Sequence, residues 1–238
     1  MGNAALKQKY ETATKTGVLK ISQKKLTEFP NSLKGLEHNL RVLDFSDNHF
    51  TALPKDIGIF VHLKQLNLEK NKITSIPEEI CKLVKLETLN LSSNKLTSLP
   101  VSLNKLSHLK RVEVTDNLLA NFPVMFCNLK HLDFLDLSRN KIGEIPDEVQ
   151  NLYVTELVLN QNQVGSISEG IARCPRMKTL RLEENCLQLS SIPLAILNES
   201  SISMIALEGN LFEMKEFMNL EGYDAYMERY TAVKKKMF

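Results

Sequence analysis

Residues 86–109 read LETLNLSSNKLTSLPVSLNKLSHL, and this stretch decides the fold. Leu86, Leu89, Leu91, Asn94, Leu96, Leu99 and Pro100 fall on the template L-x-x-L-x-L-x-x-N-x-L-x-x-L-P. Leu89-Asn90-Leu91-Ser92 alternates with period two, so Leu89 and Leu91 point to one side and Asn90 and Ser92 to the other, as in a short half-buried strand. At Asn94 the chain must leave the strand while the side chain stays inside. A carboxamide, with two donor hydrogens and an acceptor oxygen, suits backbone groups exposed by such a turn; a hydroxyl or carboxylate meets only part of that need.

The asparagine returns at Asn48, Asn71, Asn94, Asn117, Asn140, Asn162, Asn185 and Asn210, at intervals of 23, 23, 23, 23, 22, 23 and 25 residues. Proline follows six residues later at Pro54, Pro77, Pro100, Pro123 and Pro146, where a fixed φ and a missing donor favour an extended or tight-turn return and disfavour a regular helix. Strands are therefore expected along one side only. Parallel strands sit about 4.8 Å apart and the return segments are bulkier, so the stack should curve with the strands on the inside. The expected architecture is an α/β solenoid, a horseshoe of about eight to nine repeats with a parallel concave sheet and short helical caps.

Three segments follow from where the pattern holds. Residues 1–16 lie before it; Ala4 to Thr14 lacks Gly and Pro, and Leu6, Tyr10 and Ala13 stand at helical spacing, so a capping helix ending at Gly17 is expected. The repeats occupy 17–212, beginning with a degenerate unit that holds Lys24 where the asparagine belongs, a substitution suited to a solvent-facing end. Ser168 replaces a proline, and two extra residues separate Asn185 from Pro193, so the return path should change there. In residues 213–238, Phe217, Leu220, Tyr223, Met227 and Tyr230 step by three and four, predicting one closing helix before a frayed Lys234-Lys235-Lys236 tail.

Composition narrows the class. A net charge of +2 is too small for nucleic acid as a bulk partner, and no apolar run approaches the ~20 residues of a membrane span. The N-terminal stretch has no apolar core of the kind a signal peptide needs. Cys81, Cys127, Cys174 and Cys186 form no C-x-x-C pair, and Cys81 and Cys127 share one repeat position, so they read as packing residues in a reducing compartment. His62, His108 and His131 likewise share one position, fourteen residues after a repeat asparagine, which speaks for repeat geometry rather than a catalytic triad. No phosphate loop or metal spacing is present, and no enzymatic activity, cofactor or metal is expected.

Function is then expected on the outward strand positions. These carry ten acidic and four basic residues, so an acidic concave face should meet a protein partner. The candidate contact residues are Asp44, Asp47, Asn67, Glu69, Asn90, Ser92, Arg111, Glu113, Phe134, Asp136, Val158 and Arg181. Phe134 and Val158 are apolar among polar neighbours and could share a patch. At the other end, Gly2 begins the N-myristoylation pattern, with Leu6 where the motif prefers Ser or Thr. One acyl chain binds membranes weakly, and Lys7, Lys9, Lys15, Lys20, Lys24 and Lys25 could add contact with an anionic surface.

The segments Lys15–Val18, Leu26–Pro30, Leu180–Leu187, Glu208–Phe212 and Leu220–Tyr230 resemble intracellular leucine-rich-repeat proteins, and the 23-residue proline-containing repeats are more loosely similar to the Ras-suppressor type. That resemblance implies an intracellular, monomeric interaction scaffold with a lipid on Gly2, divided between membrane and cytosol. It also admits a regulatory subunit of a phosphatase or small GTPase.

Overall fold

The computed structural model describes residues 2–235; Met1, residues 236–238 (and with them the last lysine of the basic tail) and the side chains of residues 2–5 lie outside the described residues. Contacts divide the chain into two compact units, residues 1–117 and 118–238. The first holds helix α1 (Gly2–Thr16) and strands β1 (Val18–Lys20), β2 (Val42–Asp44), β3 (Gln65–Asn67), β4 (Thr88–Asn90) and β5 (Arg111–Glu113), each paired in parallel with the next. The second holds β6 (Phe134–Asp136), β8 (Glu156–Val158), β10 (Thr179–Arg181) and β11 (Met204–Ala206), again parallel and in chain order, with β7 (Glu144–Ile145) and β9 (Ser166–Ile167) as a separate small pair. With nine parallel main-sheet strands, irregular returns and helical ends, the fold is an α/β solenoid.

The period-two reading places the core. In the first unit Leu19, Leu43, Leu66, Leu89 and Val112 occupy the centres of successive strands and are at most 1% exposed, and Ile21, Phe45, Leu68, Leu91 and Val114 form a second buried row. Each such side chain contributes about 1.5–3 kcal/mol by leaving water. Phe29, Phe45 and Phe50 pack together among the first repeats, with ring centroids 4.7–5.4 Å apart.

The asparagines bind neighbouring repeats to one another. Asn94 Nδ2 donates to Leu91 O of its own repeat (2.9 Å) and to Leu68 O of the preceding one (3.0 Å), while Asn94 Oδ1 accepts from Ile73 N (3.0 Å). Asn71 and Asn117 do the same in the first unit, as do Asn162 and Asn185 in the second. The residue just before each one takes a left-handed conformation: φ is 52° at Asp47, 54° at Lys70 and Ser93, and 55° at Asp116. Non-glycine residues adopt it at a cost of roughly 1–2 kcal/mol, which the buried amide bonds offset. The final repeat avoids that cost with Gly209 at φ +79°.

Of the two return paths that proline allows, extended or tight-turn, the chain takes the turn. A single 3₁₀ turn follows the proline at Lys55–Ile59, Glu78–Lys82 and Val101–Lys105, and at Val124–Phe126 and Asp147–Asn151. Proline supplies the first acceptor: Ile57 N, Ile80 N and Leu103 N donate to Pro54 O, Pro77 O and Pro100 O at 3.0–3.1 Å. Lacking an N–H and fixed in φ, it starts a turn without continuing a helix. Ser168 O likewise accepts from Ile171 N (3.2 Å), and its hydroxyl adds a cap by accepting from Gly170 N at 3.0 Å. Beyond Asn185 the return changes, as the two inserted residues foretell, to a turn at Leu189–Ser191 and helix α2 (Ala195–Asn198).

Helix α1 covers the first strand: Ala13 is fully buried, Lys9 Nζ donates to Lys20 O (2.7 Å), and Gly17 at φ +72° ends the helix where a Cβ would strike Asn39 O. Lys24 is exposed, as a terminal turn allows. The closing segment corrects the single helix expected over 217–230. Two helices form, α3 (Met214–Phe217) and α4 (Tyr223–Lys234), parted by Gly222 at φ +89°, where any Cβ would collide with the Asn198 side chain. Tyr226 and Arg229, outside the predicted apolar row, complete the cap. The Tyr226 hydroxyl accepts from Ile205 N (3.2 Å), and Arg229 donates to the carbonyls of Ile196, Leu197, Ile202 and Ala225.

Asn94→Ala is expected to lower unfolding free energy by about 1–3 kcal/mol, because it leaves buried backbone groups of two repeats unpaired. Arg229→Ala should cost a similar ~1–3 kcal/mol at the other end. Urea denaturation followed by circular dichroism measures both; an unchanged midpoint for Asn94→Ala contradicts the ladder.

Candidate functional site

On each strand of the first unit the central residue is buried and its neighbours face solvent, so this unit presents Val42, Asp44, Gln65, Asn67, Thr88, Asn90, Arg111 and Glu113 in rows across register-paired strands. Several of the expected contact residues also build the turn beneath them. Asp44, Asn67 and Asn90 accept through Oδ1 from the backbone N–H two residues on, at 2.9–3.0 Å. Asp136 does so in the second unit and also accepts from Ser138 Oγ. These four side chains are half-buried and held in Asx turns, so they are rigid parts of the face. Ser92 is nearly buried, its Oγ accepting from Thr115 N at 3.3 Å.

The acidic surplus is partly matched in place. Glu113 pairs with Arg111 (2.5 Å), Glu69 with Lys70 (3.1 Å) and Glu156 with Arg181 (3.0 Å). In the second unit a row of polar side chains runs across three repeats, Arg139 Nε donating to Gln161 Oε1 (2.6 Å) and Gln161 Nε2 to Glu184 Oε2 (2.9 Å). Asp47 and Asp116 remain exposed at the turn, on left-handed backbone.

The apolar patch expected of Phe134 and Val158 does not present itself as such. Register sets Phe134 opposite Glu156 and Asp136 opposite Val158, so the two stand diagonally. Val158 is only 8% exposed, closed over between Asp136 and Arg181, while Phe134 is half-buried. Period two indicates direction but not shielding by neighbours on adjacent strands.

The histidines keep apart. His62 Nδ1 lies 3.1 Å from Lys85 Nζ, His108 sits beside Ser107, and His131 is exposed. No group of three His, Cys, Asp or Glu side chains suited to a metal occurs among the described residues. Burial pushes the Cys127 and Cys174 thiols up to about 12, and Cys174 Sγ donates to Val149 O, so neither is a ready nucleophile. No helix among the described residues is long and apolar enough to cross a membrane.

One charged cluster escaped the sequence reading because its members lie 23 residues apart just before successive strands. Glu87 sits between Lys110 (2.7 Å) and Lys64 (3.0 Å), whose hydrogen bonds and charges hold its carboxyl down from the ordinary 4.5 to about 2.

Comparison with known proteins agrees with this geometry. Residues 31–125 match the model of a leucine-rich repeat region, and residues 131–152 match that of the leucine-rich repeat. These segments are leucine-rich repeats. Among solved structures, a leucine-rich-repeat protein of Leptospira interrogans is similar over 81% of this chain and 55% of its own, with 29% identity and a TM-score of 0.73. The ectodomain of the Arabidopsis thaliana receptor kinase GASSHO1/SCHENGEN3, solved in complex with CASPARIAN STRIP INTEGRITY FACTOR 2, matches over 81% of this chain and 24% of its own, at 27% identity and a TM-score of 0.68. The plant peptide hormone receptor RGFR1, solved in complex with RGF2, matches over 81% and 36%, at 28% identity and a TM-score of 0.59. This chain thus spans 55%, 24% and 36% of the lengths of these three structures.

Because Glu87 is more acidic in the fold than in an unfolded chain, its contribution is present above its ordinary value and is lost as pH falls from 4.5 toward 2. Its exposure keeps that contribution small. Carboxyl-carbon NMR titration should find Glu87 well below the other exposed glutamates, and Lys110→Ala should return it toward the ordinary value more than Lys64→Ala does. A Glu87 midpoint indifferent to both substitutions contradicts the triad.

Proposed function

We propose that this leucine-rich-repeat protein is a non-enzymatic interaction scaffold whose strand face takes a basic protein segment. The observation that carries this reading is the face itself: rows of outward polar side chains at one-strand spacing, held rigid by Asx turns, with more acid than base. Rigid, pre-arranged side chains lower the entropy lost on binding. Two of the similar structures hold a bound partner, which supports the same use here. Exposed Asp47 and Asp116 and half-exposed Asp44, Glu113 and Asp136 would attract the partner, with Arg111 and Arg181 setting its register. Residues 17–212 form the binding solenoid, with 1–16 and 213–238 as its caps. Acylation of Gly2 would place the scaffold on a cytoplasmic membrane surface.

Asp47→Lys/Asp116→Lys tests the face with little structural penalty, because Lys70 and Arg139 already occupy the equivalent left-handed position. Affinity capture from cell extract should lose basic partners with this variant while the melting temperature stays put. An identical set of captured proteins sinks the assignment of the face. Capture of a single enzyme whose activity changes on binding selects regulation of a phosphatase or GTPase instead. Mass spectrometry of the protein from eukaryotic cells should find Gly2 acylated, and an unmodified glycine there removes the anchor.

A further inference from the structure

Charge is divided between the two units in a way that the small net total conceals. Residues 1–117 carry 18 basic and 12 acidic side chains, a balance of +6; residues 118–238 carry 12 and 16, a balance of −4. The strand face of the first unit is itself acidic, so its basic excess must lie elsewhere. It collects on α1 and the first turn, at Lys7, Lys9, Lys15, Lys20, Lys24 and Lys25, and along the edge where each return path enters its strand.

That edge is regular. Val61-His62-Leu63-Lys64, Val84-Lys85-Leu86-Glu87 and Ser107-His108-Leu109-Lys110 occupy equivalent places, with Leu63, Leu86 and Leu109 fully buried and the flanking residues turned outward. Lys64 N donates to Arg41 O (2.7 Å), Glu87 N to Lys64 O (2.8 Å) and Lys110 N to Glu87 O (2.9 Å), which aligns the three sequences as adjacent rungs behind Arg41. Arg41 N in turn donates to Gly17 O at the end of α1 (2.7 Å), so the edge continues directly from the lysine-bearing cap. Within that edge Lys64 and Lys110 flank the Glu87 carboxylate at 3.0 and 2.7 Å, and Lys85 Nζ lies 3.1 Å from His62 Nδ1; the lowered pKa of Glu87 agrees with the positive charge beside it.

Among these cations stand Val61 and Val84, 40% and 48% exposed. Residues 61–111 contain no Phe, Tyr or Trp, so the edge lacks the large ring platforms on which successive bases of a single-stranded nucleic acid stack. Cations interleaved with exposed aliphatic groups instead match a surface with an anionic outer layer and hydrocarbon beneath it.

We propose that the edge formed by Arg41, Lys64, Lys85 and Lys110, with Val61 and Val84 between them, docks on an anionic lipid bilayer. This deepens the membrane part of the function proposed above but does not depend on Gly2 acylation. It leaves the acidic strand face of the same unit available to a protein partner.

The test uses the full chain made in bacteria, unacylated, sedimented with vesicles of phosphatidylcholine alone or mixed with phosphatidylserine. Binding is expected only to the mixed vesicles and should disappear at high salt. Each basic residue contributes about five-fold to such partitioning, so Lys64→Glu/Lys85→Glu/Lys110→Glu should weaken it by on the order of 100-fold. Val61→Ser/Val84→Ser should also weaken it, with no change in the charge of the edge. Thermal melts check that each variant is folded, and the milder Lys64→Gln/Lys85→Gln/Lys110→Gln set replaces the glutamates if they unfold the chain. Failure of the wild type to bind the mixed vesicles, or equal binding by the lysine variants, overturns the proposal. So does equal binding by the valine variant, or a lysine-dependent affinity for polyuridylate that exceeds that for vesicles. Because the protein lacks the acyl group, these results stand whether or not Gly2 is modified in cells.

Discussion

The structure depends on one buried carboxamide repeated along the chain. Each ladder asparagine must satisfy the backbone of its own strand end and that of the repeat before it, with both amide hydrogens and the oxygen engaged. A single repeat can make only part of this bond set, so neighbouring repeats stabilise one another. The left-handed residue ahead of each asparagine is the local strain this arrangement imposes. The chain tolerates Asp, Lys, Ser, Arg, Gln and Glu there because the buried bonds outweigh it.

The same economy shapes the strand face. Asp44, Asn67, Asn90 and Asp136 serve both as surface groups and as turn supports, so part of the surface chemistry is committed to the fold. The consequence is a face whose polar groups are fixed in direction. Salt bridges within the face temper its acidity, while the entering edge of the first unit gathers the cations. The first unit therefore carries more acid than base on its strand face and cations where the return paths enter the strands.

The ends are built by other means. An edge strand must have its unpaired carbonyls and amides covered, and each end recruits long side chains for this. Lys9 reaches Lys20 O at the start; Tyr226 and Arg229 reach the last strand and its preceding loop at the finish. Such contacts join residues 11 to 33 positions apart with no periodic signature. They are invisible to any reading that looks for repeats.

What the sequence determined by itself was whatever repeats: the buried leucine rows, the asparagine interval, the parallel order of strands and the outward positions of the candidate face. Periodicity encodes direction, and direction suffices for these. Tertiary structure alone decided how much of each outward side chain neighbours leave uncovered, which is why Val158 closed over while Asp47 stayed exposed. It also decided that Gly222 splits the closing helix against Asn198 and that Lys64, Glu87 and Lys110 meet. Each of these rests on distances between residues about 20 or more apart in the chain, set by the stacking of one repeat on the next and not by the pattern within any one of them.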